Sequence, residues 1–208
     1  MECYTVSRDG RFEFTEKKSV FIGRSFFVTS PEEAAERLET VRQAEPEARH
    51  HVWAYSLREG GAKRFSDAGE PSGTAGMPTL KVLELSGLTD VLITVTRYFG
   101  GILLGAGGLA RAYTRAAAGA VEAGGRAQIV RAVTFQAVCG YDLYRSLSRV
   151  LADAGADISD TSFSDSVMVT ASLPEAEFFP LRTRLEETFY TNLRLTVLST
   201  AFVRRSGV

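Results

Sequence analysis

The sequence predicts an α+β protein built from two domains. Strand and helix patterns alternate along the whole chain, and 14 of its 19 glycines lie between residues 60 and 125. From residue 131 the patterns follow the order strand, helix, strand, strand, helix, strand, which is that of a ferredoxin-like fold. The glycine-poor part follows Gly124-Gly125-Arg126, so we expect one domain over residues 1–126 and a second over 131–205.

The first domain begins with a β pattern over its first 28 residues. Asp9-Gly10 has the composition of a hairpin turn and is followed by Phe12 and Phe14 in alternation. A second strand is predicted from Val20 to Val28. Ser30 and Pro31 then supply an N-cap and a first helical residue, so a helix is predicted to run from there to about Pro46.

The rest of the first domain is predicted from hydrophobic periodicity. Alternation gives a half-buried strand, a continuous apolar run gives a buried strand, and a stripe at helical spacing gives an amphipathic helix. The predicted elements are a strand at 51–57, a polar loop at 58–77, a helix at 78–85, a strand at 91–99 and a helix at 109–123.

The second domain is predicted to contain four strands and two helices. The polar run Ser164-Asp165-Ser166 separates two alternating segments and predicts a hairpin turn. The strands are predicted at 131–139, 157–164, 166–173 and 193–203, and the helices at 142–154 and 175–190.

Composition restricts the classes of protein to which the chain can belong. Apolar residues make up 45% of it, charged residues 24%, and the net charge is −1, so nucleic-acid binding requires a local basic patch. Two cysteines form neither a disulfide framework nor a zinc box, which favours a reducing compartment. Without an apolar run long enough to span a bilayer or an apolar leader, we expect a cytoplasmic protein with no membrane partner.

Two glycine-rich segments carry the strongest functional signal, residues 65–78 and 97–113. Each leads into a predicted helix, where glycine lets a ligand approach closely and free N–H groups favour an anion. The sequence from Val91 to Val121 contains Arg97, Arg111 and Arg115 and no acidic residue, so we expect an anion or phosphate at the second segment. The glycines also fit a purely structural role in tight turns and close packing.

Nucleotide-cofactor motifs fail on their spacing. The chain has no Gly-x-x-x-x-Gly-Lys-Ser/Thr sequence, and the match to Gly-x-Gly-x-x-Ala at 105–110 is separated from the preceding strand by five residues. We therefore expect no bound cofactor. His50 and His51 are adjacent on a strand and point to opposite faces, so no metal site is expected either.

Asp67 and Glu70 are the candidate catalytic groups, because they are the carboxylates of the first glycine-rich segment. Two carboxylates in one loop can serve as a general acid and base. The favoured interpretation is that Asp67 caps the loop by accepting backbone N–H bonds, and an enzyme is the less favoured reading of the chain.

Both glycine-rich segments resemble the signature of the IMPACT/YigZ family. Residues 65–78 are similar to its Asp-x-Gly-Glu-Pro-Ser-Gly-Thr-Ala-Gly-x-Pro block, and residues 97–113 to its Arg-Tyr-Phe-Gly-Gly block, which continues to Ala-Tyr. Arg49-His50-His51 fits as well. The resemblance implies an N-terminal α/β sandwich like the second domain of a small-subunit ribosomal protein, and a C-terminal domain like the last domain of elongation factor G.

The resemblance implies a role in regulation of translation. We expect a non-enzymatic protein that binds RNA or the ribosome, or a translation-control protein, through the second glycine-rich segment. Two alternatives stay open: an enzyme on a small phosphorylated substrate that uses Asp67 or Glu70, and a protein–protein interaction module. The predicted binding residues are His50, Glu70, Ser72, Thr74, Arg97, Tyr98, Gly100, Gly101, Gly105, Gly107, Gly108 and Arg111.

Overall fold

A computed structural model describes residues 3–205 of the chain and divides them into two compact units. The first unit comprises the described residues up to Gln128 together with Arg204 and Arg205, and the second comprises Ile129–Val203. Strands and helices occur in both units, so the α+β class with two domains is confirmed.

The first unit contains a five-stranded sheet in the order β2-β3-β6-β4-β5, in which all neighbouring strands are antiparallel. Its strands are β1 (Cys3–Thr5, outside this sheet), β2 (Gly10–Glu16), β3 (Ser19–Phe27), β4 (His50–Ser56), β5 (Lys63–Ser66) and β6 (Val91–Tyr98). Its helices are α1 (Pro31–Ala44), α2 (Gly76–Ser86) and α3 (Gly105–Gly124).

Strand β6 lies at the centre of this sheet and is buried on both faces. Ile93 and Val95 belong to the core that the sheet forms with α2 and α3. Leu92 points the other way and packs with Ala34 of α1. Alternate residues of a strand face opposite sides of the sheet, so helices on both sides explain why this strand is buried almost throughout.

Helix α3 packs unusually closely on β3, because small residues meet at the contact. A Cβ atom on Gly23 would lie 2.2 Å from the carbonyl oxygen of Ala116. Ser25 Oγ donates a hydrogen bond to the carbonyl oxygen of Ala120 at 2.8 Å. The helix is therefore fixed in both its distance from the sheet and its rotation.

The second unit has the ferredoxin-like order of strands. Its sheet runs β10-β7-β9-β8, so the first and third strands of the unit lie in the middle. Every second residue of β9 is buried, and the buried residues pack with both helices of the unit around Phe135, Leu147 and Phe178. The elements are β7 (Ala127–Cys139), α4 (Tyr141–Asp153), β8 (Asp157–Phe163), β9 (Val167–Pro174), α5 (Glu175–Phe189) and β10 (Leu193–Arg205).

Three sequence-based predictions of local structure were wrong. The first hairpin turns at Lys17 and Lys18, both with positive φ, and Gly10 lies within β2 beside the backbone of α3. The predicted loop at 58–77 contains β5, which pairs with β4. Helix α3 begins at Gly105 instead of Leu109, so three glycines predicted to form a loop belong to its first turn.

In the part of the chain that the structure describes, no helix is both long enough and apolar enough to cross a membrane.

Candidate anion-binding site

The first glycine-rich segment is organised around the carboxylate of Asp67. It accepts backbone N–H bonds from Gly73 at 2.9 Å, Ala75 at 3.0 Å and Gly76 at 2.8 Å. Burial alone would raise the pKa of Asp67, but these three bonds outweigh it and hold the pKa below its ordinary value. Asp67 thus caps the N-terminus of α2 and closes its own loop, as the favoured interpretation of the sequence states.

Glu70 lies in a buried network that joins four elements. Its Oε1 atom accepts hydrogen bonds from Arg97 Nη1 at 2.7 Å and from the Tyr113 hydroxyl at 2.8 Å. Arg97 also donates through Nη2 to Ser19 Oγ at 3.4 Å. Burial, and then the charge of Glu70, raise the pKa of Tyr113 well above its ordinary value, so the hydroxyl stays protonated and donates.

This network limits the access of a ligand to the guanidinium group of Arg97. We predicted that its guanidinium contacts phosphates, but the residue is only 5% exposed and its charge is paired with Glu70. The ring of Phe99 covers it from outside, with the Arg97 Cζ atom 5.4 Å from the ring centroid. Sequence alone did not reveal this, because the pairing partner lies 27 residues away in another segment.

Tyr98 is occupied on the opposite face of the sheet. Its hydroxyl donates to the Glu45 carboxylate, which also pairs with Arg24. The bond to Glu45 raises the pKa of Tyr98 to about 12. Arg97 and Tyr98 therefore point to different sides of β6 and do not form one binding surface.

Two of the predicted binding residues in or beside the first segment, His50 and Thr74, form hydrogen bonds to the backbone of that segment. His50 lies against Gly69, and its Nδ1–H donates to the carbonyl oxygen of Ala68 at 2.9 Å. Thr74 is buried and donates to the carbonyl oxygen of Pro71 at 2.6 Å. Ser72 is exposed. In the described part of the chain, no three metal-ligating side chains gather at one point.

The second glycine-rich segment packs against the β2–β3 hairpin. The backbone N–H of Gly100 donates to Ser19 Oγ at 3.1 Å, and a Cβ atom here would lie 2.0 Å from the carbonyl carbon of Lys18. Gly101 and Gly105 have φ of 82° and 70°. Glycine is therefore required at Gly100 for close approach and favoured at the other two positions by backbone conformation.

A cavity of about 250 Å³ opens where this segment enters α3. Three cationic side chains line it, Lys17 from the hairpin and Arg111 and Arg115 from α3, together with one acid, Glu16. We call it the cationic groove. Its other lining residues are Phe14, Leu104, Gly108 and Ala112.

The cations of the groove are available to a ligand. Among residues 3–205, no carboxylate forms an ion pair with any of the three. The Arg115 Cζ atom lies 4.3 Å from the ring centroid of Phe14, which orients that guanidinium. The first turn of α3 has neither a side-chain cap nor an acidic residue. This end of a helix favours an anion, and the cations reinforce it.

Sequence reasoning found only part of this groove. It identified Gly108 and Arg111 as binding residues and counted Arg115 among the arginines near the expected anion, but it did not name Arg115 as a binding residue and it missed Lys17. The turn residues Lys17 and Lys18 would have been found if the hairpin had been placed correctly. A lysine pair with positive φ is not a usual turn signal, because asparagine and glycine are favoured there.

Comparison with known proteins assigns the chain to a family. Residues 17–121 match the Impact N-terminal domain, and residues 138–189 match a domain of unknown function, DUF1949. "IMPACT family member YigZ" of Escherichia coli K12 is 32% identical over 194 residues, which is 88% of this chain and 91% of that protein. The chain belongs to the IMPACT family. The match to the Impact N-terminal domain contains both glycine-rich segments and every lining residue of the groove except Phe14 and Glu16.

A further IMPACT relative and one solved structure are also similar to this chain. "IMPACT family member YvyE" of Bacillus subtilis is 44% identical over 111 residues, which is 53% of this chain and 51% of that protein. A solved structure described as "Crystal structure of an hypothetical protein" has a TM-score of 0.63 and 28% identity, and covers 95% of this chain and 98% of that one. The second comparison extends the likeness in fold over both domains.

Proposed function

We propose that the protein is a non-enzymatic regulator of translation that binds RNA of the translation machinery through the cationic groove. The observation that carries this proposal is the set of three unpaired cations, Lys17, Arg111 and Arg115, around the uncapped N-terminus of α3. RNA offers a phosphate at every nucleotide, and backbone phosphates are the commonest partners of such side chains.

The charge distribution supports a local contact of this kind. The chain as a whole has a net charge of −1, so its net charge supplies no attraction to RNA. The groove concentrates three cations against one acid within a single cavity. The link to translation rests on what the family resemblance implies, namely a first domain like a ribosomal-protein domain and a second like the last domain of elongation factor G.

The proposal does not use Asp67 or Glu70 as catalytic groups. The Asp67 carboxylate already accepts three backbone bonds, and Glu70 is tied to Arg97 and Tyr113 in the interior. A general base must reach the proton that it removes, and these internal bonds hold both carboxylates in the packing of the loop.

The test is binding to RNA and to ribosomes at increasing salt, with wild type beside Arg111→Gln/Arg115→Gln. Three phosphate contacts predict a slope of about −2 to −3 for the logarithm of affinity against the logarithm of salt concentration. Two of the three cations are lost in the variant, so its slope should fall to about −1. Glutamine keeps part of the arginine stem, which limits the effect on packing.

A matched control is available on α4. Arg145 and Arg149 are exposed and four residues apart, as are Arg111 and Arg115, and Arg145→Gln/Arg149→Gln removes the same charge. The control should bind like the wild type. If the control and the groove variant lose affinity equally, the total charge of the protein and not the groove is responsible for RNA binding. Wild-type binding that does not change with salt concentration would contradict the proposal.

A second candidate function, contact with a translation-control protein, is supported by an apolar groove between α2 and α3. This cavity of about 400 Å³ includes Met77 and Leu85, and Leu85 is 79% exposed. Exposed apolar clusters of this kind mark protein contacts. This function would be supported by a protein partner whose binding persists after nuclease treatment and is lost in Leu85→Glu. The same partner should still bind to Arg111→Gln/Arg115→Gln, the variant of the cationic groove.

A further inference from the structure

The loop between β6 and α3 carries exposed apolar side chains. Phe99 is 54% exposed, Ile102 42% and Leu103 83%. We call residues 99–103 the apolar loop. An exposed apolar cluster bordering a cationic site needs a functional explanation, because water solvates such side chains poorly.

The apolar loop borders the cationic groove directly. Gly100 lies against the backbone of Lys18, and its N–H donates to Ser19 Oγ. Lys18 follows the groove residue Lys17 in the chain. At the other end of the loop, Leu104 itself lines the groove. A chain of nucleotides with a phosphate in the groove would therefore bring its bases within reach of the loop.

The ring of Phe99 is held in a position in which another planar group can stack on it. One side of its ring lies over the Arg97 guanidinium, which Glu70 and Ser19 hold in place. More than half of the residue is open to solvent. A ring fixed by a buried cation loses little conformational freedom when a second flat group stacks on it.

We propose that the ligand of the groove is single-stranded RNA, with an unpaired base stacked on Phe99 and the adjoining phosphates at Arg111 and Arg115. The inference rests on the proposed function and names its substrate class. Within an A-form duplex each base is already stacked and paired, so a protruding ring gains nothing from it, whereas phosphates are offered by both forms. The ring therefore makes the site selective for unpaired RNA.

The experiment measures fluorescence anisotropy with a labelled RNA of roughly 12 nucleotides, a length within the range of known single-strand sites. The same strand is tested alone, annealed to its complement, and with abasic positions. Wild type should bind the single strand more tightly than the duplex. Phe99→Leu, which keeps an apolar side chain and removes the ring, should weaken single-strand binding about five- to 150-fold.

The controls separate stacking from other effects. Phe99→Leu should leave duplex and abasic binding within about twofold, since neither form offers a base to the ring. Phe179, on α5, is 56% exposed, so Phe179→Leu removes an equally exposed ring elsewhere and should change nothing. Phe99→Trp keeps a stacking surface and should bind at least as tightly as wild type, which also shows that the loop still folds.

The outcomes distinguish this inference from the function on which it rests. If wild type binds RNA but prefers the duplex, or if Phe99→Leu binds the single strand like wild type, the single-strand inference is wrong and the groove proposal stands. If wild type binds neither RNA at low salt, both are wrong. Binding to vesicles of anionic lipid without binding to RNA would mean that the apolar loop contacts a membrane surface, which overturns both.

Discussion

Removing Glu70 should destabilise the first domain strongly, because it leaves the charge of Arg97 buried without a partner. The side chains of Glu70 and Arg97 are 3% and 6% exposed, and they are joined at 2.7 Å. Breaking a buried ion pair by removing one partner costs about 3–5 kcal/mol. We therefore expect Glu70→Leu to lower the free energy of unfolding by that amount, a large part of the stability of a typical domain.

The chain contains a reporter for this domain alone. Its single tryptophan, Trp53, lies on β4 in the first unit, so tryptophan fluorescence follows the unfolding of that unit. With a urea dependence of about 2 kcal/mol per M, the midpoint should fall by roughly 1.5–2.5 M. A two-domain protein does not unfold in a single step, which makes a reporter in one domain necessary.

A double-mutant cycle gives the refutation. Arg97→Met alone should also be destabilising, because it leaves the carboxyl group of Glu70 buried without its partner, but Glu70→Leu/Arg97→Met should recover most of either loss. Additive losses would show that the two residues do not act as a pair. If Glu70→Leu leaves the midpoint unchanged, the burial argument is wrong, and a catalytic role for Glu70 becomes the better explanation.

Three other predictions separate folding from binding. Asp67→Asn should lower the tryptophan-reported stability by about 2 kcal/mol at neutral pH. The native pKa of Asp67 is depressed, so this contribution to stability is present above the unfolded pKa of roughly 4 and disappears as the pH falls through the native pKa. Urea midpoints of wild type and variant, measured at neutral pH and at a pH below the native pKa, check this. Gly107→Ala meets only Arg111 Nη1, 3.5 Å away, so it should stabilise α3 by about 0.5–1 kcal/mol in thermal unfolding but weaken RNA binding by blocking close approach. Lys17→Asn/Lys18→Gly should raise stability by about 2 kcal/mol, because both lysines have positive φ, and reduce the salt slope of RNA binding by about one. Unchanged stability in the first case, or unchanged binding in the other two, would contradict the reasoning.

Much of the fold could be predicted from periodicity, because apolar spacing reflects which faces are buried. Strand β6 and most of helix α3 were found from their patterns. Strand β5 was missed because it lies at the edge of the sheet with exposed side chains, so neither alternation nor an apolar run marks it. Local sequence carries little information about a strand held mainly by its backbone pairing.

The site was harder to predict than the fold, since a charged residue gives no sign of its own partner. Arg97 and Arg111 belong to the same glycine-rich segment and have the same charge, yet one is buried against Glu70 and the other lines an open groove. Their difference arises from strand and helix geometry, because Arg97 lies on a strand covered by a loop and Arg111 on the exposed side of a helix. Only the tertiary structure brings Lys17 to Arg111 and Arg115.

The buried network and the exposed groove depend on one another through α3. Tyr113 lies between Arg111 and Arg115 in sequence, and its hydroxyl is anchored to Glu70 on the side of the helix that faces the sheet. Because adjacent residues of a helix are about 100° apart around its axis, an anchor at Tyr113 fixes the direction in which both arginines project. Under the proposed function, the first glycine-rich segment would contribute to RNA binding without touching the ligand, since its Glu70 acts together with Ser25 in fixing the rotation of α3. Tyr113→Phe should consequently weaken RNA binding less than loss of the arginines, but more than its small effect on stability alone would explain.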